Sequence, residues 1–180
     1  MTVYIVVLYA HLLGAFAFFI GQGIEWAASS LFRGASSTEQ VRAWLRVFSV
    51  SPPLSGIGLG VLLLSGGYLA SLSRVMRQGW IPATLLGIGI GVVLGITVIL
   101  PRMKRIRKTI PSLNEPVSSE LRSLLSDPVL LSAIRIRMLL ATGIVYLMTA
   151  KLAFSPSAIA LLVAIGTGLV FSIPVWRRPA

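Results

Sequence analysis

Hydrophobic positions along this chain fall into long uninterrupted runs, not into the alternation of a half-buried strand or the stripes of a soluble helix. A helix needs about 20 mostly apolar residues to cross the hydrocarbon core of a bilayer. Five segments meet that length, at about residues 3–29, 53–72, 80–100, 134–154 and 157–176. The pattern predicts an all-α, multi-pass transmembrane bundle of five spans forming a single domain over residues 1–180. The opening MTVYIVVLYAHLLG has no basic leader and runs on too long for a signal peptide, so it reads as a retained first span. The fourth span is the shortest between charges. Arg137 and Lys151 bracket it, and both are expected to snorkel to the interfaces.

Polar positions between the runs set a direction. Arg33, Arg42 and Arg46 follow span one, eight basic residues from Arg102 to Arg137 follow span three, and Arg177 and Arg178 end the chain. Only Arg74, Arg77 and Lys151 fall on the other side. The positive-inside rule then places the N-terminus outside and the C-terminus in the cytoplasm of a bacterial inner membrane. Trp26, Trp80 and Trp176 sit at span ends, as an aromatic belt requires. Residues 37–50 and 101–133 read as cytoplasmic interfacial segments. In the first, Thr38 is the expected N-cap, with Val41, Trp44, Leu45 and Phe48 on one face and Arg42 and Arg46 on another, so it should lie flat on anionic headgroups. In the second, Ser118 or Ser119 caps a short helix that buries Leu121, Leu124 and Leu125, and Pro111, Pro116 and Pro128 punctuate the loop.

Composition agrees with a lipid-solvated chain: 56% of residues are hydrophobic and 12% charged, against roughly 25% charged in a soluble domain. The net charge of +11 would point to nucleic acid in a soluble protein. Here the basic residues lie between spans, so topology and anionic lipid account for them and nucleic acid does not. There are no cysteines, which excludes disulfides, iron–sulfur clusters and thiolate metal sites, and one histidine, which excludes a multi-histidine metal site within the chain. No catalytic constellation emerges: no nucleophile–base pair, no second carboxylate within a span and no phosphate-binding loop. No internal repeat supports an inverted-repeat transporter.

Ionisable groups inside a span are costly and stand out as functional candidates. His11 lies roughly 12 Å into span one at 1.5 Å per residue. Gln22 and Glu25 are offset from it by about 20° and about −40° on a helical wheel, so the three share a face with Ala15, Phe18 and Ser29. That stripe must face other helices. His11 reads either as a neutral imidazole bonded to a neighbouring helix, as an axial ligand of haem b, or as part of a proton relay. As a haem ligand it would need Met138, Met148, Tyr146, a water or a second subunit's histidine opposite. Glu25 reaches the headgroups, pairs with Arg33 or Arg137, or serves with Gln22 as a proton or cation station. Lys151 reads as an anchor. Gly87, Gly91 and Gly95 lie four apart on span three, as do Gly56 and Gly60 on span two. Such spacing allows close helix packing, a homodimer seam, or a bare wall for a flat cofactor.

The stretch YAHLLGAFAFFIGQGIEWA in span one, the RAWLRVF segment, the proline-led glycine-rich second span and the YLMTAKLAF ending of span four together resemble a family of bacterial integral membrane proteins defined as domain of unknown function 2269. That family is loosely similar to the copper resistance D membrane domain. The resemblance covers residues 3–154, with the fifth span beyond it, and implies membrane residence. A first-span histidine that ligates haem is also a feature of HemJ-like protoporphyrinogen oxidases, and His11 is the position that likeness carries over. Three functional readings stay open: a non-enzymatic membrane protein built around the stripe, a haem b protein in electron transfer or porphyrin oxidation, and a small proton or cation transporter or channel component.

Overall fold

The computed structural model describes residues 2–110 and 116–177. Pro111 and Arg178 lie outside the described residues. The described residues are helical apart from short connections: α1 (Thr2–Phe32), α2 (Thr38–Leu72), α3 (Trp80–Leu94), a π-helical turn (Gly95–Ile99), α4 (Leu100–Thr109), α5 (Ser119–Leu125), α6 (Pro128–Ala150) and α7 (Phe154–Trp176). Five helical rods are long and apolar enough to cross a membrane, with α3, the π turn and α4 forming one of them. This is the architecture of a multi-pass membrane protein.

The helices overrun the hydropathy boundaries. The segment 37–50 is not a separate interfacial helix: it runs without interruption into the second span, through Pro52 and Pro53. Its cap is Ser37, one residue before the expected Thr38, and the Ser37 side chain accepts from the Gln40 amide. Its apolar face is not left for lipid either. Val41, Leu45 and Phe48 are buried against Phe32, Met103, Ile106, Leu121 and Leu125. At 1.5 Å per residue a 35-residue helix is about 52 Å long, well beyond a hydrocarbon core of about 30 Å. The third rod likewise continues to Thr109, inside the expected loop. The fourth span starts at Pro128 and stops at Ala150, four residues short of expectation, because Lys151 takes a left-handed conformation (φ 49°) that ends the helix. Phe154 therefore opens α7 instead of closing α6.

Two glycine seams pair the helices. On α1 and α2, a Cβ at Gly58 would stand 2.6 Å from the Phe18 amide nitrogen and 2.7 Å from the Gly14 carbonyl oxygen. Gly21 abuts Ser55 in the same seam. On α6 and α7, a Cβ at Gly168 would stand 2.8 Å from Ile136 Cα, and one at Gly143 2.9 Å from Ala164 Cβ. Without an apolar driving force in lipid, this closeness is what holds spans together. The glycines singled out by spacing behave differently. Gly87 packs on Ile144 and Gly95 lies beside Arg137, but a Cβ at Gly56, Gly60 or Gly91 would meet nothing.

One end of the bundle gathers the ends of α1 and α7, the starts of α2 and α6, and all of α4 and α5, and it carries most of the basic side chains. It is also the best-packed region, a continuous buried cluster from Ala28 to Ile134. Ser118 caps α5, whose Leu121 and Leu125 are buried and whose Leu124 packs alongside. Arg102 Nε donates to Asp127 at 2.7 Å, and Asp127 in turn caps α6 by accepting from the Val129 amide. Arg135 Nη1 donates to the Phe171 carbonyl, and Trp176 Nε1 to Ser132 Oγ, tying α7 to the start of α6.

Candidate functional site

The other half of the bundle is open. α1 packs along α2, and α6 along α7, whereas α2 and α3 scarcely touch although only residues 73–79 join them. The gap is a cleft of about 470 Å³ walled by α2 and α3 and floored by α1 and α6. Leu63, Gly67, Leu85, Val92 and Val145 line it and are also exposed on the outer surface, so its mouth faces the side of the bundle. Gly66 and Gly67 on α2 and Gly87 and Gly91 on α3 leave bare backbone on both walls.

The stripe on α1 forms the floor. His11, Ala15, Phe18 and Gln22 all line the cleft, Gln22 being 1% exposed and His11 half-buried. Eleven residues separate His11 from Gln22, about 16 Å of helix. They are therefore opposite ends of one cavity and not two unrelated positions.

At the His11 end, His11 Nδ1 lies 3.0 Å from Ser65 Oγ. The Ser65 hydroxyl also bonds the Val61 carbonyl one turn back, where it can only donate. Together the two bonds fix the imidazole against α2. A Cβ at Gly66 would stand 3.0 Å from His11 Cε1, so glycine there is what lets the ring sit against α2. Thr84 belongs to this end as well: it is eleven residues before Gly95, which lies beside Arg137. Thr84 is 5% exposed, and its Oγ1 is buried without a partner. Met148 and Lys151 line the same stretch, but Met138 and Tyr146 are not part of the lining.

At the other end, Arg137 Nη1 donates to Glu25 Oε2 at 2.9 Å. The pair is enclosed, its side chains 14% and 3% exposed. Arg137 therefore does not snorkel as expected. Glu25 provides a partner inside the bundle, and pairing removes the reason for either charge to reach for headgroups. Of the partners open to Glu25 from sequence, it takes Arg137. The pairing leaves Arg137 Nε buried without a bond, and Gln22 Oε1, one turn from Glu25, is in the same condition. Both residues line the cleft. The π-helical turn begins at Gly95, where a Cβ would be 3.6 Å from Arg137 Cζ.

The site thus combines apolar walls with a histidine at one end and the Gln22 and Arg137 side chains at the other. Among the described residues no cluster of three acidic, histidine or cysteine side chains exists that would hold a metal ion. Of the residues singled out from sequence, His11, Gln22 and Met148 line the cleft and Glu25 pairs with Arg137. Sequence reasoning missed Ser65 and Thr84, single hydroxyls in apolar runs whose only signal is that a span seldom spends a position on them. No family model, curated protein or solved structure matches the chain.

Proposed function

We propose that this chain is a multi-pass inner-membrane protein, N-terminus outside and C-terminus cytoplasmic, that binds a lipid-soluble molecule in the cleft between α2 and α3. One observation carries this reading: a cleft of about 470 Å³ with apolar walls, open sideways where lipid would be and lined by His11, Gln22 and Arg137. That volume falls in the ordinary range of small-molecule sites, about 300–1,000 Å³. The same combination of apolar walls with a few placed polar groups is what such sites use for orientation. The family resemblance and the thirteen basic residues that the sequence puts after spans one, three and five support the membrane and the direction. Anionic lipid at that end is the partner the charge implies, and outward-facing Gly56 and Gly60 supply a seam for a homodimer.

The test is photolabelling in lipid nanodiscs with a photoactivatable long-chain alkane. Labelling of Leu62 and Ile88, which line the cleft, should saturate, and Gly91→Phe should remove it by filling the cleft. Labelling confined to outward positions such as Leu64 and Val93, or rising without saturation, would overturn the reading.

A second reading rests on His11. Its Nδ1 bonds Ser65 Oγ, as ligating histidines usually bond through their second ring nitrogen, and Met148 lines the same cavity. A haem b in the cleft would be held by His11, with Met148 as the second candidate ligand. Met138 and Tyr146 drop out as ligands in this reading. Haem would supply one-electron chemistry in the bilayer. Protein purified from haem-replete cells should then show a Soret band that His11→Ala abolishes, and colourless wild-type protein would end the haem reading while leaving the cleft intact. Proton or cation transport gains less, since Glu25 is already committed to Arg137.

A further inference from the structure

Resting on the cleft as a binding site, we infer that it takes the acyl chain of an anionic amphiphile whose head is held by Lys151, at the end remote from the Glu25–Arg137 pair. The argument starts from how that end is built. The connection 73–79 between α2 and α3 closes it, with Ser73, Val75 and Met76 in the lining. The connection between α6 and α7 stands against it: Gly79 abuts the Phe154 amide nitrogen, and a Cβ there would stand 2.9 Å from the Ala153 carbonyl carbon. The first connection carries the exposed Arg74 and Arg77, and the second carries the exposed Lys151, which lines the cleft itself. Three cations are thus gathered at one end of an apolar cavity.

Nothing on this side of the bundle answers those charges. The sequence has no acidic residue from 40 to 114 and none after 127. Glu25 and Asp127 are paired elsewhere, and Glu39 and Glu120 stand in the first turns of α2 and α5, at the basic end. Among the described residues no ion pair involves Arg74, Arg77 or Lys151. In the orientation proposed above this is also the side on which topology disfavours basic residues, so topology is not what keeps them there. Two of the three hold a costly backbone. Arg74 and Lys151 are left-handed, at φ 54° and 49°, and none of the 17 glycines is. Glycine is the residue favoured where a helix ends this way, and the chain spends a basic side chain there instead. A cation at a helix C-terminus does complement the helix dipole. That role asks only for charge near the end of α6 and does not account for Lys151 lining the cleft.

Beyond Lys151 the cavity suits a chain. Arg137 and Lys151 lie fourteen residues apart along α6, about 21 Å, and Leu62, Ile88, Leu140 and Ile144 line the cleft. The side opening past Leu63, Leu85 and Val92 gives a chain its entry from lipid. A neutral head would leave the Lys151 ammonium to water, and a cationic head would meet three like charges. A carboxylate or phosphate is the head that this end complements. Two sources share that chemistry, a free fatty acid and an anionic phospholipid.

The experiment uses the full chain in nanodiscs of uncharged lipid and three photoactivatable probes of equal chain length: alkane, alcohol and carboxylate. The carboxylate should saturate at a concentration on the order of tenfold below the other two, the gain expected of one hydrogen bond between charged groups. With the reactive group beside the head it should label Ser73 to Met76, and with the group at the tail it should label Ile88. Lys151→Gly should bring the carboxylate level with the alcohol and leave the thermal midpoint unchanged or raised, since glycine accepts the backbone conformation at that position. Lys151→Asn, which also tolerates it, should do the same, and Lys151→Arg should keep the preference. Displacement of the carboxylate by an added free fatty acid points to the first source, and displacement by phosphatidylglycerol to the second. A carboxylate no better than the alcohol, labelling in the reverse order, a preference that survives both Lys151→Gly and Lys151→Asn, or displacement by neither lipid would overturn the inference. Saturable alkane labelling with no head-group preference would leave the cleft as a site and remove only the part given to Lys151.

Discussion

The two halves of this bundle are made from the same kinds of residue and are packed in opposite ways. At the basic end Phe32, Val41, Leu121 and Leu125 are sealed inside a cluster drawn from six elements. In the other half Leu62, Ile88 and Ile144 are only partly covered and surround open space. Their apolar residues do not separate them. What differs is what closes the gap between the α1–α2 pair and the α3–α6–α7 group. At the basic end α4 and α5 lie across that gap, and Arg102 to Asp127 fastens α4 to the start of α6. Toward the other end nothing lies across it, and a Cβ at Gly67 on α2 or Gly91 on α3 would meet nothing. Tight packing here comes from crossing elements and glycine seams, and where neither is present the helices leave a cavity.

The Glu25–Arg137 pair sits on the border, and breaking it has the largest expected effect. Arg137→Met leaves Glu25 buried without a counter-charge, which costs about 3–5 kcal/mol for an enclosed pair. The double variant Glu25→Gln, Arg137→Met should recover most of that loss, because an apolar replacement of a buried pair is often neutral. Thermal unfolding in detergent measures both. If the pair belonged to the cleft alone and water reached it, the single variant would be nearly silent and the border would move toward the basic end. A double variant as unstable as the single one would mean that Arg137 acts through its packing against Gly95 and the π turn.

How much of this could be read from the chain follows from what periodicity reports. The five rods were legible because 20 apolar residues in a row have few other uses. So was the inward face of α1, since His11, Gln22 and Glu25 repeat at helical spacing. Partners across helices were not: nothing in the sequence says that Ser65 meets His11, or which of Arg33 and Arg137 meets Glu25. Hydropathy also marks where lipid ends and not where a helix does. Residues 38–50 therefore looked like a separate surface helix, although their backbone continues the second span. The glycines show the same limit. Gly56 and Gly60 have the four-residue spacing of a packing motif, yet the seam runs through Gly58, the glycine between them.

That last contrast gives the smallest and sharpest test of the two-region picture, a single methyl group added on either side of it. Gly58→Ala puts a Cβ within 2.6 Å of the Phe18 amide and 2.7 Å of the Gly14 carbonyl, both backbone atoms that cannot swing aside. The seam must open, at about 1–3 kcal/mol for an overpacked contact. Gly91→Ala puts the same methyl into the cleft, where nothing lies within 4 Å. There the change should be neutral or stabilising by up to about 1 kcal/mol, the ordinary gain of alanine over glycine in a helix. Thermal midpoints of the two variants should fall on opposite sides of the wild type or nearly so. Equal losses at both positions would mean that α3 closes on the cleft at Gly91, and the open half would have to be redrawn as packed.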